Sequence, residues 1–208
     1  MTILPVLGLS RGVLFPGQFI CMHVRHDRSK SALRAAQDSG NSWLGVFASH
    51  DGSGLRCCDV GTVARVISVG QGDCCGQMVT ELEGLARVRA VGSFEHEDRS
   101  DATCERLEEA SSDQAPVAAL VTEIRNVAES AARTFPSCRH TDRVLERFRR
   151  GVSDEHVPGG VQDLLLRTSC VERQRALEAS TLGARLEATL TLLEQAWPVA
   201  LRCPDVVH

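Results

Sequence analysis

The sequence predicts an α+β protein: a small β-barrel with one inserted helix in the first half, then a bundle of four to five helices. Three observations carry this reading. Up to about residue 95 the apolar runs are short, rich in Val, Ile and Phe, and bounded by Gly, Pro, Asp and Ser, which is the pattern of strands. Beyond residue 113 the apolar residues recur at intervals of three and four, the period of helices. Between the two, residues 95–113 hold eight carboxylates against two arginines, whereas residues 1–94 carry nine basic and seven acidic groups and residues 114–208 balance at twelve each. The negative excess of the chain, −4 in all, therefore lies in one polar stretch that reads as a solvated connection. The expected organisation is a barrel over 1–95, an acidic connecting segment over 96–113 and a helical bundle over 114–208.

In the first half, strands are expected at 3–9, 18–24, 43–49, 61–69, 77–83 and 86–94. Six strands in so short a stretch close into a small barrel or curled sheet. One helix interrupts them: Asp27 is placed to cap it, residues 31–37 form it, and Gly40 stands where a C-terminal glycine stops it. Residues 70–76 read as a hairpin loop. Gly70-Gln71-Gly72 within it is not a nucleotide loop, because the third glycine is misplaced and a strand follows where a helix N-terminus would have to hold the phosphate. Gly12 and Gly17 supply turns, Pro16 fixes the chain between them, and Gly61 and Gly84 allow close strand approach or bulges. Alternation along 18–24 puts Phe19, Cys21 and His23 on one face and Ile20, Met22 and Val24 on the other.

In the second half, Val117, Leu120, Val121, Ile124, Val127, Ala128 and Ala131 form one stripe of a helix running from Pro116 to Thr134, before Phe135-Pro136. A second helix, capped by Thr141 or Asp142, carries Val144, Leu145 and Phe148 and ends near Gly151. A third starts around Pro158 and holds Leu164, Leu165 and Leu166; a fourth covers 171–179. The last, 181–196, has Leu182, Leu186, Leu190 and Leu193 as its inner stripe and is stopped by Pro198. Arg143, Arg147 and Arg150 share a face that reads as solvated rather than phosphate-binding.

Composition excludes several classes. With 43% hydrophobic and 24% charged residues and a mean hydropathy near zero, the chain reads as soluble and globular. No apolar run reaches the roughly 18 residues of a membrane span, and Met1 to Leu9 lacks a basic leader, so a cytoplasmic protein is expected. Near-neutral charge without a basic stripe argues against DNA. The nine cysteines are odd in number and include no Cys-x-x-Cys, and the doublets Cys57-Cys58 and Cys74-Cys75 direct neighbouring side chains apart. Reduced, packed thiols are expected, with no metal. The basic residues are 22 arginines and Lys30 alone, which excludes any mechanism needing two lysines.

Three blocks in order, Leu4-Pro5-Val6-Leu7, Gly12-Val13-Leu14-Phe15-Pro16-Gly17 and Asp59-Val60-Gly61-Thr62-Val63-Ala64-Arg65, are followed by Glu83-Gly84-Leu85-Ala86-Arg87-Val88. Together they resemble the N-terminal substrate-binding domain of Lon proteases. Val157-Pro158-Gly159-Gly160-Val161-Gln162-Asp163-Leu164 and the stretch 182–195 resemble two helices of the same family. The resemblance implies a PUA-like β-barrel joined to a helical bundle. Cys21 departs from it, standing where the family often has proline, and the acidic stretch matches nothing in it.

A Lon protease continues into an ATPase module and a peptidase with a Ser-Lys dyad, and this chain ends where that module would begin. The phosphate loop needs a lysine after glycine, whereas Lys30 follows Ser29. No His-Glu-x-x-His pair occurs, and the adjacent His50 and Asp51 point apart. A non-catalytic recognition module without cofactor is therefore expected, standing alone, with a piece of a longer protease as the other possibility. It would bind unfolded or tagged polypeptides, or a Lon-type protease itself, as adaptor or regulator. The alternative is a PUA-like barrel for a small molecule or RNA, but an RNA surface wants clustered arginine with exposed aromatics, and the strand half has no tyrosine. The expected partner surface is an apolar patch at the Phe15-Pro16 turn and the second strand. Phe15, Phe19 and Met22 supply it, and Arg11 and Arg25 flank it in sequence.

Overall fold

The computed structural model describes residues 1–49, 57–72, 77–108, 114–134, 139–166 and 168–197. The chain divides into two compact units, Met1–Glu108 and Glu109–His208. The first contains β1 (Thr2–Leu9), β2 (Phe19–Val24), α1 (Asp27–Asp38), β3 (Trp43–Ala48), β4 (Val60–Gln71), β5 (Met78–Glu95) and β6 (Ser100–Arg106). The strand order is β2-β5-β4-β3-β1-β6, and a further β5–β6 pairing closes the sheet into a barrel. Only β1 and β3 run parallel; the other pairs are antiparallel.

Strand β5 organises this unit. One of its edges pairs with β4; the other pairs with β2 along Met78 to Glu83 and with β6 from Val88 to Glu95. The sequence expectation of two strands, 77–83 and 86–94, is corrected: Gly84 does not end a strand. It sits at a bulge, where Val63 faces Ala86 and Ala64 faces Gly84, so Leu85 is the extra residue and the chain stays extended. The missing side chain serves close approach instead. A Cβ on Gly84 would stand 2.2 Å from the carbonyl oxygen of Phe15.

That approach fixes the 12–17 turn. Gly17, at φ +78, donates its amide to the Gly84 carbonyl at 2.8 Å, and the Gly84 amide donates to Gln18 O at 2.9 Å. The Phe15 amide donates to Gln18 Oε1 at 3.1 Å, and Thr62 Oγ1 donates to the Leu14 carbonyl at 2.6 Å. The turn thus folds back over the sheet and drives Val13, Leu14 and Phe15 into the core. Phe15, expected as an exposed contact, is 1% exposed.

The acidic stretch holds a second correction. Residues 96–113 are not all connection, because β6 lies inside them and pairs with both β1 and β5. Ala102 and Cys104 alternate inward among polar neighbours, a period-two signal that the surrounding charge concealed. Asp101 accepts from Arg99 Nε at 3.0 Å, which raises the Arg99 pKa from its ordinary value.

Two cores result. Leu7, Leu9, Leu44, Val46, Ala64 and Leu82 meet Leu33 and Ala36 of α1 on one side of the sheet, and Leu4, Phe47, Val88, Ala102 and Cys104 fill the barrel interior. The α1 N-cap is His26 rather than Asp27, whose carboxylate accepts from Lys30 Nζ at 2.9 Å and is held below its usual pKa by it. Gly40 adopts φ +76 just beyond the Ser39 C-cap, as its place in the sequence required.

The second unit comprises α2 (Gln114–Thr134), α3 (Arg139–Arg150), α4 (Val157–Gly160), α5 (Cys170–Glu178) and α6 (Leu182–Ala196). Three-ten turns occupy Asp154–His156 and Gln162–Leu164. The α2 stripe is buried at Val117, Val121, Ile124, Val127, Ala128 and Ala131, with Leu120 half-buried, and α2 packs against α6, whose Leu186, Leu190 and Leu193 are buried. Thr181 caps α6 through its side chain, and Ser169 with Glu172 forms a capping box on α5. The continuous third helix expected from Pro158 is replaced by one turn of α-helix and a 3-10 turn, because Gly159-Gly160 follows Pro158 and disfavours propagation. Gly151, at φ +83, ends α3, and Arg147 reaches the Gly160 carbonyl at 3.4 Å. The side chains of Thr141, Asp142 and Arg143, together with Phe135-Pro136, His50-Asp51, Cys74-Cys75 and Pro198, lie outside the described residues.

Candidate functional site

Strand alternation divides β2 cleanly. Ile20, Met22 and Val24 turn toward α1 and its core, while Phe19, Cys21 and His23 are exposed on the other face. Register then carries that face across the sheet: Phe19 pairs with Glu83, Glu83 with Arg65, and Arg65 with Trp43. Directly paired residues point to the same side, so β2, β5, β4 and β3 present a transverse row of aromatic, carboxylate, guanidinium and aromatic groups. Phe19 is 50% exposed and Trp43 39%.

Arg65 donates to Glu83 Oε2 from Nε at 3.1 Å and also from Nη2. A partly exposed ion pair like this contributes little stability, about 0–1 kcal/mol, and it stands between the two aromatics in the row. A bulge at Ile67 adds another exposed apolar side chain, and beside it Ser68 Oγ donates to Glu81 Oε2 at 2.9 Å. No helix among the described residues of this unit packs on this face; α1 covers the opposite one.

Trp43 leads into the barrel. It lies on the same face of β3 as Gly45 and Phe47, and a Cβ on Gly45 would stand 2.7 Å from the Phe47 ring that plugs the interior. Above that plug a cavity of about 290 Å³ opens at the barrel end. The buried Leu4, Val88 and Cys104 form its floor, the partly buried Val63, Leu85 and Ala86 its walls, and the exposed Thr2, Trp43 and Arg106 its rim. Burial pushes the Cys104 thiol up to about 11, so the floor is uncharged at neutral pH.

The five residues expected at the partner surface separate. Phe19 is on the exposed face. Met22 is half-buried against the α1 core and, like Phe15, is corrected to packing. Arg11 and Arg25 are exposed, but Arg25 follows the far end of β2 from Phe19 and nothing brings Arg11 to the row. Trp43, absent from the sequence-based list, takes the second aromatic place. Alternation along β3 sets Trp43 on one face with Gly45 and Phe47, but its place in the row follows only from the strand registers. Three further exposed apolar residues, Ile3, Val91 and Phe94, stand on the outer wall formed by β1, β6 and β5.

No cluster of three or more metal-ligating side chains occurs among the described residues, and no described helix is long and apolar enough to cross a membrane. Of the described cysteines, Cys58 and Cys104 are buried, Cys57 and Cys170 partly so, and Cys21 is exposed.

The fold is shared with solved structures. The N-terminal domain of the Mycobacterium avium complex Lon protease superposes with a TM-score of 0.73 at 17% identity, over 93% of this chain and 98% of that one. The Lon N-terminal domain protein of Xanthomonas campestris superposes at 0.62 with 23% identity, over 92% and 98%. Among curated proteins, Lon protease 2 of Sorangium cellulosum (strain So ce56) is 26% identical over 201 residues, and Lon protease of Anaeromyxobacter dehalogenans (strain 2CP-C) 27% over 202. Those alignments cover 91% and 93% of this chain but 24% and 23% of the relatives, so the chain spans about a quarter of their length. The family model of the ATP-dependent protease La (LON) substrate-binding domain matches residues 3–195. The chain belongs to the Lon substrate-binding domain family.

Proposed function

We propose that the chain is a non-catalytic module that captures unfolded polypeptide on the open face of β2, β5, β4 and β3. The observation that carries this is the row Phe19–Glu83–Arg65–Trp43, which sets two half-exposed aromatics on one face of the sheet, in a family of substrate-binding domains. Folded proteins bury their aromatic and aliphatic side chains, so a surface offering exposed apolar groups selects chains that have not. The Arg65–Glu83 pair between the aromatics offers donors and acceptors to a peptide backbone without favouring one net charge. Tagged polypeptides are ligands of the same kind. The captured chain is passed to, or withheld from, a Lon-type protease, which makes the module an adaptor or regulator.

The RNA alternative fits this face less well. Arg65 is already neutralised by Glu83, and Glu81 adds a further carboxylate, so the face opposes a phosphate backbone.

A titration of a fluorescently labelled, permanently unfolded protein tests the reading. Phe19→Asp with Trp43→Ser should weaken binding at least tenfold and leave the fold intact, since both side chains are substantially exposed. Ile3→Asp with Phe94→Asp, equally apolar changes on the outer wall, should leave it unchanged. Equal loss from both pairs, or from neither, would contradict the assignment.

A further inference from the structure

We infer that the cavity at the barrel end receives the carboxy-terminal residue of a polypeptide, its apolar side chain entering between Trp43 and Leu85 and its α-carboxylate held by Arg106. This rests on the proposed capture of unfolded chains by the adjoining face and names the part of the ligand that is anchored.

Three features point there. The cavity, about 290 Å³, lies at the low end of ligand pockets and suits one bulky side chain rather than a large cofactor. Its floor is closed: below Leu4, Val88 and Cys104 the barrel is filled by Phe47 and Ala102. A chain therefore cannot thread through it, and what enters is a side chain or an end.

The third feature is the charge at the rim. Arg106 follows Ala102 and Cys104 on the inward-facing side of β6 and lines the cavity. Arg28 and Arg99 of the same unit each meet a carboxylate, as Arg65 does, but the Arg106 guanidinium forms no hydrogen bond or ion pair with another described residue. Glu105 alternates to the other surface, and Glu83 is engaged by Arg65. The rim thus carries a guanidinium that no described carboxylate engages, beside an apolar hollow, with the Thr2 hydroxyl as a further donor.

That combination matches a terminal residue. Side chain and α-carboxylate leave the same Cα, so one can fill the hollow while the other forms a two-point bond to the guanidinium at its edge. An internal residue would bring a neutral amide to the same place.

The test uses labelled octapeptides of one sequence in the intact protein: ending in Phe as free acid, ending in Phe as amide, and ending in Ser as free acid. The acid ending in Phe should bind about tenfold more tightly than either other peptide, the scale of a charge-assisted bond. Arg106→Gln should bring acid and amide to equal, weak affinity while Arg106→Lys retains part of the difference. Equal binding of acid and amide by the parent protein overturns the inference. So does full displacement by N-acetylphenylalanine at peptide-like affinity, which would make the cavity a small-carboxylate site. The unfolded-protein titration runs in parallel with a ligand whose carboxy terminus is amidated. If that ligand binds while the acid and amide peptides do not differ, the anchor fails and the capture reading stands; if it does not bind to the open face, the capture reading fails with it.

Discussion

Replacing Gly84 with alanine places a methyl group where the backbone of the 12–17 turn already lies. The new Cβ would stand 2.2 Å from Phe15 O, 3.0 Å from Phe15 C and 3.2 Å from Thr62 Cγ2, whereas ordinary contact begins at 3.4 Å. The turn must retreat by about 1 Å, and it cannot do so freely. Its two backbone bonds to Gly84 are 2.8 and 2.9 Å long, and Leu14 and Phe15 are packed to 2% and 1% exposure. Loss of both bonds costs about 2 kcal/mol, overpacking adds about 1–3, and the stiffer unfolded chain returns less than about 1. The expected net destabilisation is about 2–4 kcal/mol. Urea unfolding followed by Trp43 fluorescence in a Trp197→Phe background reads the first unit alone, and the midpoint should fall by about 1–2 M. Gly92→Ala is the control, because its Cβ would meet only Thr103 Oγ1, at 4.0 Å. A Gly84→Ala protein within about 0.5 kcal/mol of the parent, or an equal loss from Gly92→Ala, would refute the close-approach argument.

Cys104 predicts an alkaline limit. Burial raises its thiol from 9.0 to about 11, so the folded state holds the proton more tightly than the unfolded one; this contribution is complete below pH 9 and is lost as pH rises toward 11, by up to about 3 kcal/mol. The chain has no tyrosine and one lysine, so urea midpoints between pH 8 and 11 should show the loss in the parent and a flatter profile in Cys104→Ala; parallel profiles would contradict it. Ser169→Ala removes the acceptor of the Val171 amide at 3.2 Å and should cost the second unit about 1 kcal/mol, read from the Trp197 transition, with Ser169→Asp retaining most of it. No change in Ser169→Ala would show that the capping box is not stabilising α5.

The fold was legible where local rules decide it. The period-two runs and their bounding residues located β1, β2, β3 and β4 to within about two residues, and the helical stripes located α2, α5 and α6 as well. Failures came where distant packing overrode a local signal. Glu83-Gly84-Leu85 looks like a strand break, but its glycine exists because the 12–17 turn lands on it. The same landing buried Phe15, whose Pro-Gly neighbours otherwise mark an exposed turn. Strand β6 was hidden by its charge, since only Ala102 and Cys104 carry the inward pattern. Of the site, Phe19 followed from alternation along one strand. Trp43 did not, because its membership depends on the registers of β2 with β5, β5 with β4 and β4 with β3, and no local sequence pattern encodes three pairings at once.

Cys21 provides the most direct measurement of the central claim, being exposed on the same face of β2 as Phe19. Alkylation by iodoacetamide at pH 8, read by peptide mass spectrometry, is compared with and without a saturating cysteine-free unfolded protein. Capture on the open face should slow labelling of Cys21 several-fold and leave Cys170, in the second unit, at its free rate. Unchanged labelling of Cys21 by a chain that demonstrably binds would place the binding surface elsewhere and contradict the account.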